Sequence, residues 1–102
     1  MISRVVRNGT QSQGVDERIA YVLTTTPWGS SPTGVSVKAF DVNAGAYTEV
    51  TATVLSGSAT VSGDRITLPL VHSLTNHLYR IEIIFICSGN TFEAIIYING
   101  ER

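Results

Sequence analysis

The residues able to do chemistry are few and scattered. Two histidines, His72 and His77, precede the longest apolar run of the chain. A zinc site needs three or four convergent ligands, usually in close pairs. No such pair involves His72, His77, Cys87 or Asp64, so both histidines read as loop side chains. The carboxylates are Asp16, Glu17, Asp41, Glu49, Asp64, Glu82, Glu93 and Glu101. Only Asp16 and Glu17 are adjacent; the rest stand singly on turns and strand faces. Glycoside cleavage requires two carboxylates facing across a cleft, which a small β-domain has little room to build. Serine is plentiful, but there is no Gly-x-Ser-x-Gly elbow. Neither glycine pattern that cradles phosphate occurs, nor does the Asp-rich loop that holds calcium. The expectation is a non-enzymatic protein with no catalytic, cofactor-binding or metal-binding residue and no cofactor.

Composition narrows the partners. The chain has 102 residues, 43% of them hydrophobic, which is ordinary for one globular domain. Charged residues make up only 15%, against about 25% on average, so much of the surface is neutral. Seven basic and eight acidic side chains give a net charge of -1. Nucleic-acid binding draws on a basic patch that neutralises phosphates. With Lys38 the sole lysine and the arginines dispersed, no nucleic-acid partner is expected. No apolar run reaches the length of a bilayer span, so no membrane partner is expected. The start, Met1 to Arg7, has no apolar core of a signal peptide. A single cysteine excludes an internal disulfide and fits a reducing compartment. Cys87 sits in Ile83-Ile84-Phe85-Ile86-Cys87 and reads as a small buried hydrophobe.

The elements that must position any working surface are strands. Two-residue alternation marks Arg18 to Thr25, with Ile19, Tyr21 and Leu23 on one face. It marks Val35 to Val42, with Val35, Val37, Ala39 and Asp41 on one side. Thr48 to Leu55 reads the same way, with Val50, Ala52 and Val54 aligned. A short strand Ala59 to Val61 follows, and then Arg65 to Leu70 with Ile66, Leu68 and Leu70 aligned. Leu78 to Ser88 is the longest strand, and Tyr79, Ile81, Ile83, Phe85 and Cys87 share one face. Ser88-Gly89-Asn90 closes a hairpin into Phe92 to Asn99, where Phe92, Ala94, Ile96 and Ile98 align. Residues 8–17 are polar and glycine-containing and read as a loop or arm. The chain therefore divides into residues 1–17, an N-terminal arm or edge strand plus loop, and residues 18–102, a β-sandwich domain.

Seven or eight short antiparallel strands with turn residues between them fit a sandwich, with a closed barrel as the rival. One feature favours the immunoglobulin-like topology. Leu74-Thr75-Asn76-His77-Leu78-Tyr79 leads into the long strand like a tyrosine corner, in which a phenol at the start of the penultimate strand bonds back to the preceding connection. Leu74 and Tyr79 are the structural corner residues.

Candidate partner contacts lie outside this core. Trp28 stands in the loop Pro27-Trp28-Gly29, where a tryptophan can cap an open end of the sandwich or anchor an interface. Tyr47, beside the Asn43-to-Ala46 turn, carries the same two readings. The segment containing Arg4, Val5 and Val6, followed by Arg7, can add a strand to a neighbour's sheet edge or serve as a first strand of its own sandwich.

From Tyr21 onward the order of segments resembles small bacteriophage virion proteins of the fibre-tail adaptor or head-tail accessory type. The segments that carry it are Trp28-Gly29-Ser30-Ser31-Pro32-Thr33, Phe40-Asp41-Val42, Val54-Leu55-Ser56-Gly57-Ser58, Val61-Ser62-Gly63-Asp64-Arg65-Ile66-Thr67-Leu68-Pro69, and Leu74 to Glu82. The N-terminal arm lies outside it, and no residue in it does diagnostic chemistry. The resemblance implies a structural protein that decorates or connects parts of a phage particle. Such a protein contacts other virion proteins, is present in several copies or as a homo-oligomer, and is made in the bacterial host cytoplasm and found in the virion. The other class to weigh is a carbohydrate- or surface-binding module with Trp28 and Tyr47 as a stacking platform.

Overall fold

The structure is a computed structural model that describes residues 2–5, 10–26, 28–29, 31–43 and 47–101, the first four as backbone. It is a two-sheet, all-β sandwich. Strand β10 (Leu78–Cys87) is its centre. Its odd-numbered residues Tyr79, Ile81, Ile83, Phe85 and Cys87 are all buried, as alternation requires of a strand with one face on the core. It pairs antiparallel with β11 (Asn90–Glu101) on one side and β4 (Thr33–Asp41) on the other. Cys87 faces Asn90 across a two-residue loop. Ser88 and Gly89 both take positive φ there, 51° and 78°, the geometry of the turn whose twist matches a hairpin.

The strand β2 (Thr10–Gly14) runs parallel to β11, and β5 (Thr48–Glu49) flanks β4. This sheet therefore reads β2-β11-β10-β4-β5. The other is built on β3 (Ile19–Thr24), with β1 (Ile2–Val5) parallel to it. On its far side lie β8 (Arg65–Thr67) and β9 (Leu70–Val71), which pair in turn with β7 (Thr60–Ser62) and β6 (Leu55–Ser56). Segments β8 and β9 are one strand interrupted at Leu68-Pro69, and β6 and β7 are one strand interrupted at residues 57–59. An N-terminal strand split between the sheets, with β3, β8/β9 and β6/β7 in one sheet and β11, β10 and β4 in the other, is the immunoglobulin-like order. The eleven segments thus correspond to the expected seven or eight strands, two of them broken in the middle and the first divided in two.

Three local readings change. Residues 10–14 form a strand where composition reads as a loop. Gln13 is 1% exposed because its polar head is satisfied inside the sandwich, so polarity there reflects a buried network instead of solvent. Thr48 to Leu55 is not one strand. It stops at Glu49, makes the helical turn α1 (Thr51–Val54), and resumes as β6 in the other sheet. The cause is visible at Ala39. Its carbonyl accepts from Val50 N at 2.8 Å, but its N–H donates to the Thr51 hydroxyl at 3.0 Å instead of to a backbone carbonyl. The side chain ends the ladder, and the chain turns across to the second sheet. Finally, Leu70 does not align with Ile66 and Leu68; Val71 takes the buried place and Leu70 is half-buried. Pro69 has no N–H to continue the ladder. Leu68 N donates to Tyr21 O, and beyond it the register slips by one residue, so Val71 faces Ile19.

Candidate functional site

The expected corner is present. The Tyr79 hydroxyl accepts a 2.9 Å bond from Thr75 N and lies 2.9 Å from the Thr75 hydroxyl. Leu74 is buried beneath it at 4% exposure. The bond fixes the connection into β10, because Thr75 N has no helix or ladder to join. Tyr79→Phe removes the acceptor and keeps the packing. It is expected to cost about 1 kcal/mol or somewhat more in chemical denaturation, with unchanged far-ultraviolet dichroism.

Beside the corner lies a charged contact that no motif announces. His77 Nδ1 lies 2.8 Å from Asp41 Oδ2, and Asn43 N donates to Asp41 Oδ1 at 2.9 Å. The pair joins the end of β4 to the start of β10. Partial burial works to raise the Asp41 pKa, but the bonds from His77 and from Asn43 N–H outweigh it, and the net shift is downward. A carboxyl with a lower pKa folded than unfolded adds stability above its unfolded pKa, and that stability is lost as pH falls through the folded value. Denaturation midpoints should therefore drop below about pH 4, and Asp41→Asn should flatten that drop.

Trp28 caps one end of the sandwich. Its ring meets Phe85 edge-on, with centroids 5.6 Å apart at 70°, and Phe92 at 6.4 Å. It remains 37% exposed. The loop that presents it is tied down by buried Thr25, whose carbonyl accepts from Trp28 N and Gly29 N and whose hydroxyl donates to Gly29 O at 2.9 Å. The capping reading of Trp28 is thus what the geometry shows, and part of the ring stays at the surface. Tyr47, 58% exposed, lies under the Arg80 guanidinium at 5.6 Å. Arg80 in turn bonds Glu82 at 2.9 Å and the Tyr97 hydroxyl at 3.3 Å. Trp28 packs on Phe85 and Tyr47 on Arg80, five residues apart on one strand and on opposite faces of it. That is about 17 Å along the chain, so the two aromatics do not form one stacking platform.

Of the arm residues, Arg4 and Val5 belong to β1, whose backbone pairs with β3 at Arg4↔Tyr21 and Val5↔Val22. Val6 and Arg7 lie outside the described residues. The outer face of the β10 sheet carries Leu78, Ile86 and Ile95, exposed at 36%, 39% and 39%. Among the described residues no three His, Cys, Asp or Glu side chains come together as a metal site. No helix among the described residues is long and apolar enough to cross a membrane. No protein-family model matches the chain, and a search of curated proteins finds no similar sequence.

Proposed function

We propose that the chain is a non-enzymatic structural protein of a bacteriophage particle, an adaptor, connector or decoration protein that works through protein–protein contacts. The observation that carries the contact role is the set of large apolar side chains left at the surface of one sheet, Leu78, Ile86 and Ile95, with Trp28 at its end. Exposed apolar groups of this size on one face suit a protein partner. The low charge fraction agrees. The phage assignment draws on the resemblance running from Tyr21 through the corner at Leu74 to Tyr79.

The test is direct. Portal, capsid or tail genes on either side of this gene are the expected result, and a neighbourhood of unrelated metabolic genes overturns the phage assignment. Light scattering on a size-exclusion column checks assembly, with several copies per particle in solution as the expected state.

A further inference from the structure

Two Asn-Gly pairs occur in the chain, Asn8-Gly9, which lies outside the described residues, and Asn99-Gly100. Asparagine is thermolabile, and most so before glycine, which has no Cβ to hinder ring closure. The backbone nitrogen after the asparagine loses its proton and attacks the side-chain amide carbon. Ammonia leaves and a succinimide forms. Water then opens the ring to aspartate or, at the other carbonyl, to isoaspartate. The isoaspartyl main chain is longer by a methylene.

The fold both demands the second pair and shields it. Gly100 is buried, and a Cβ there would run into the Thr75 carbonyl oxygen. The corner therefore calls for glycine at this position. Asn99 before it is exposed, so water can reach its side chain. The attacking atom would be Gly100 N, whose N–H donates to His77 O at 2.9 Å. Asn99 itself lies in β11, opposite Leu78 on β10 and Ser12 on β2. Ring closure needs the backbone at Asn99 rotated away from the extended angle, and that rotation breaks the Gly100 bond to His77. His77 cannot follow easily. Its N–H donates to Thr75 O at 2.7 Å, its ring holds Asp41, and Thr75 N is held by Tyr79.

We infer that Asn99 is a latent deamidation site kept shut by the tyrosine corner, and that isoaspartate formed there keeps the end of β11 from closing again. The extra methylene moves Gly100 off the spot beneath Thr75 where only glycine fits. It also displaces Glu101, whose carbonyl accepts from Val15 N at 2.7 Å. Each opening of the corner thus risks a covalent change that prevents its return. The inference concerns the chain's own chemistry and is independent of the assembly role proposed above.

The test incubates the full chain in mildly alkaline buffer with and without denaturing urea. Peptide mapping by mass spectrometry follows each asparagine. In urea, Asn8 and Asn99 should both convert, ahead of Asn43, Asn76 and Asn90. In buffer alone, Asn99 should convert at least about tenfold more slowly than in urea, because the corner is open only in a minor population. Tyr79→Phe should speed that conversion about fivefold, the rise in open population that its stability loss implies. If this variant fails to fold, wild type in urea just below its midpoint replaces it and should show a similar rise. Chain refolded after long incubation in urea should contain a fraction of lower midpoint, and isoaspartate at residue 99 should lie in that fraction. Asn99→Asp adds the charge without the methylene and should keep a midpoint near that of the wild type. Equal rates at Asn99 in buffer and in urea would show that the fold does not guard it. No conversion in urea while Asn8 reacts would show that there is no site. An unchanged rate in Tyr79→Phe would remove the corner as the lock, and isoaspartyl chain of full stability would overturn the block on closing.

Discussion

Gly100→Ala is expected to lower stability by about 3 kcal/mol, at the upper end of what overpacking costs, and the melting temperature by more than about 10 °C. Gly100 is buried near the end of β11, against the corner connection. A methyl group there would overlap the Thr75 carbonyl oxygen and lie 3.1 Å from its carbon and 3.3 Å from Leu74 Cβ. The obstructing atoms are backbone, so no rotamer change relieves them. Nor can the connection step aside easily. Thr75 O already accepts from His77 N at 2.7 Å, Gly100 N donates to His77 O at 2.9 Å, and Thr75 N is held by Tyr79. The measurement is urea denaturation, with a lower midpoint and an unchanged slope. Gly14→Ala is the control. Its methyl group would meet only the flexible Glu17 side chain, at 3.2 Å, and should cost less than about 1 kcal/mol. Gly100→Ala and Tyr79→Phe loosen the same connection, so their effects should fall short of additive.

The contrast between Gly100 and its neighbours shows what a sequence discloses. Alternation made β10, β3 and β11 legible, because each presents bulky residues at every second position to one apolar layer. Tyr79 was legible because its place at the start of the longest strand fits a known corner. Gly100 lies just past the strand that alternation marks from Phe92 to Asn99, and nothing in the sequence tells that a carbonyl from the corner presses on it. The pattern Thr51-Ala52-Thr53-Val54 is equally opaque. It alternates like a strand, and only the loss of a ladder partner at Ala39 turns it into a helical step between sheets. Leu70 and Val71 are both good core residues, and the missing N–H of Pro69 decides between them.

The candidate contacts were partly legible for the same reason. A tryptophan flanked by proline and glycine advertises a loop, but its packing on Phe85 and Phe92 depends on how the hairpin twists. Tyr47 and Trp28 look alike in sequence and stand at different levels of β10. The early end of β5 at Glu49 could not be read at all, because alternation extends that strand to Leu55. Where a strand stops depends on what bonds arrive beside it, and a linear pattern does not record that.

Gln13 gives the second large effect, and it is the clearest case of a polar residue acting as core. Its side chain is 1% exposed. The amide nitrogen donates to Val71 O at 2.9 Å and to Glu17 O at 3.1 Å, and the amide oxygen accepts from the Tyr21 hydroxyl at 2.8 Å. One side chain on β2 thus bonds to β9 and β3 of the opposite sheet. Gln13→Leu keeps the volume and removes all three bonds. The Val71 and Glu17 carbonyls lose this donor, and the buried tyrosine loses this acceptor. A typical hydrogen bond contributes about 0.5–1.5 kcal/mol, so a loss of about 3 kcal/mol is expected for the three together. Adding Tyr21→Phe should recover part of it, since removing both partners of one bond costs less than removing one. A double-mutant cycle in urea measures the recovery; strictly additive losses would show that the two side chains are not coupled. Native-state hydrogen exchange adds a second readout. In the wild type, β2 pairs with Tyr97 to Glu101 of β11 and covers that edge. Gln13 is what pins β2 there from the far sheet, so in Gln13→Leu the β2 amides should exchange fastest, well before those of β10. Losing β2 would replace this short polar edge strand by β11 (Asn90–Glu101) as the edge of the sheet, and a long, uncovered edge invites association. The variant should accordingly aggregate at concentrations the wild type tolerates, which ties the polarity of Thr10 to Gly14, so loop-like in sequence, to covering the long strand β11 with a short polar one.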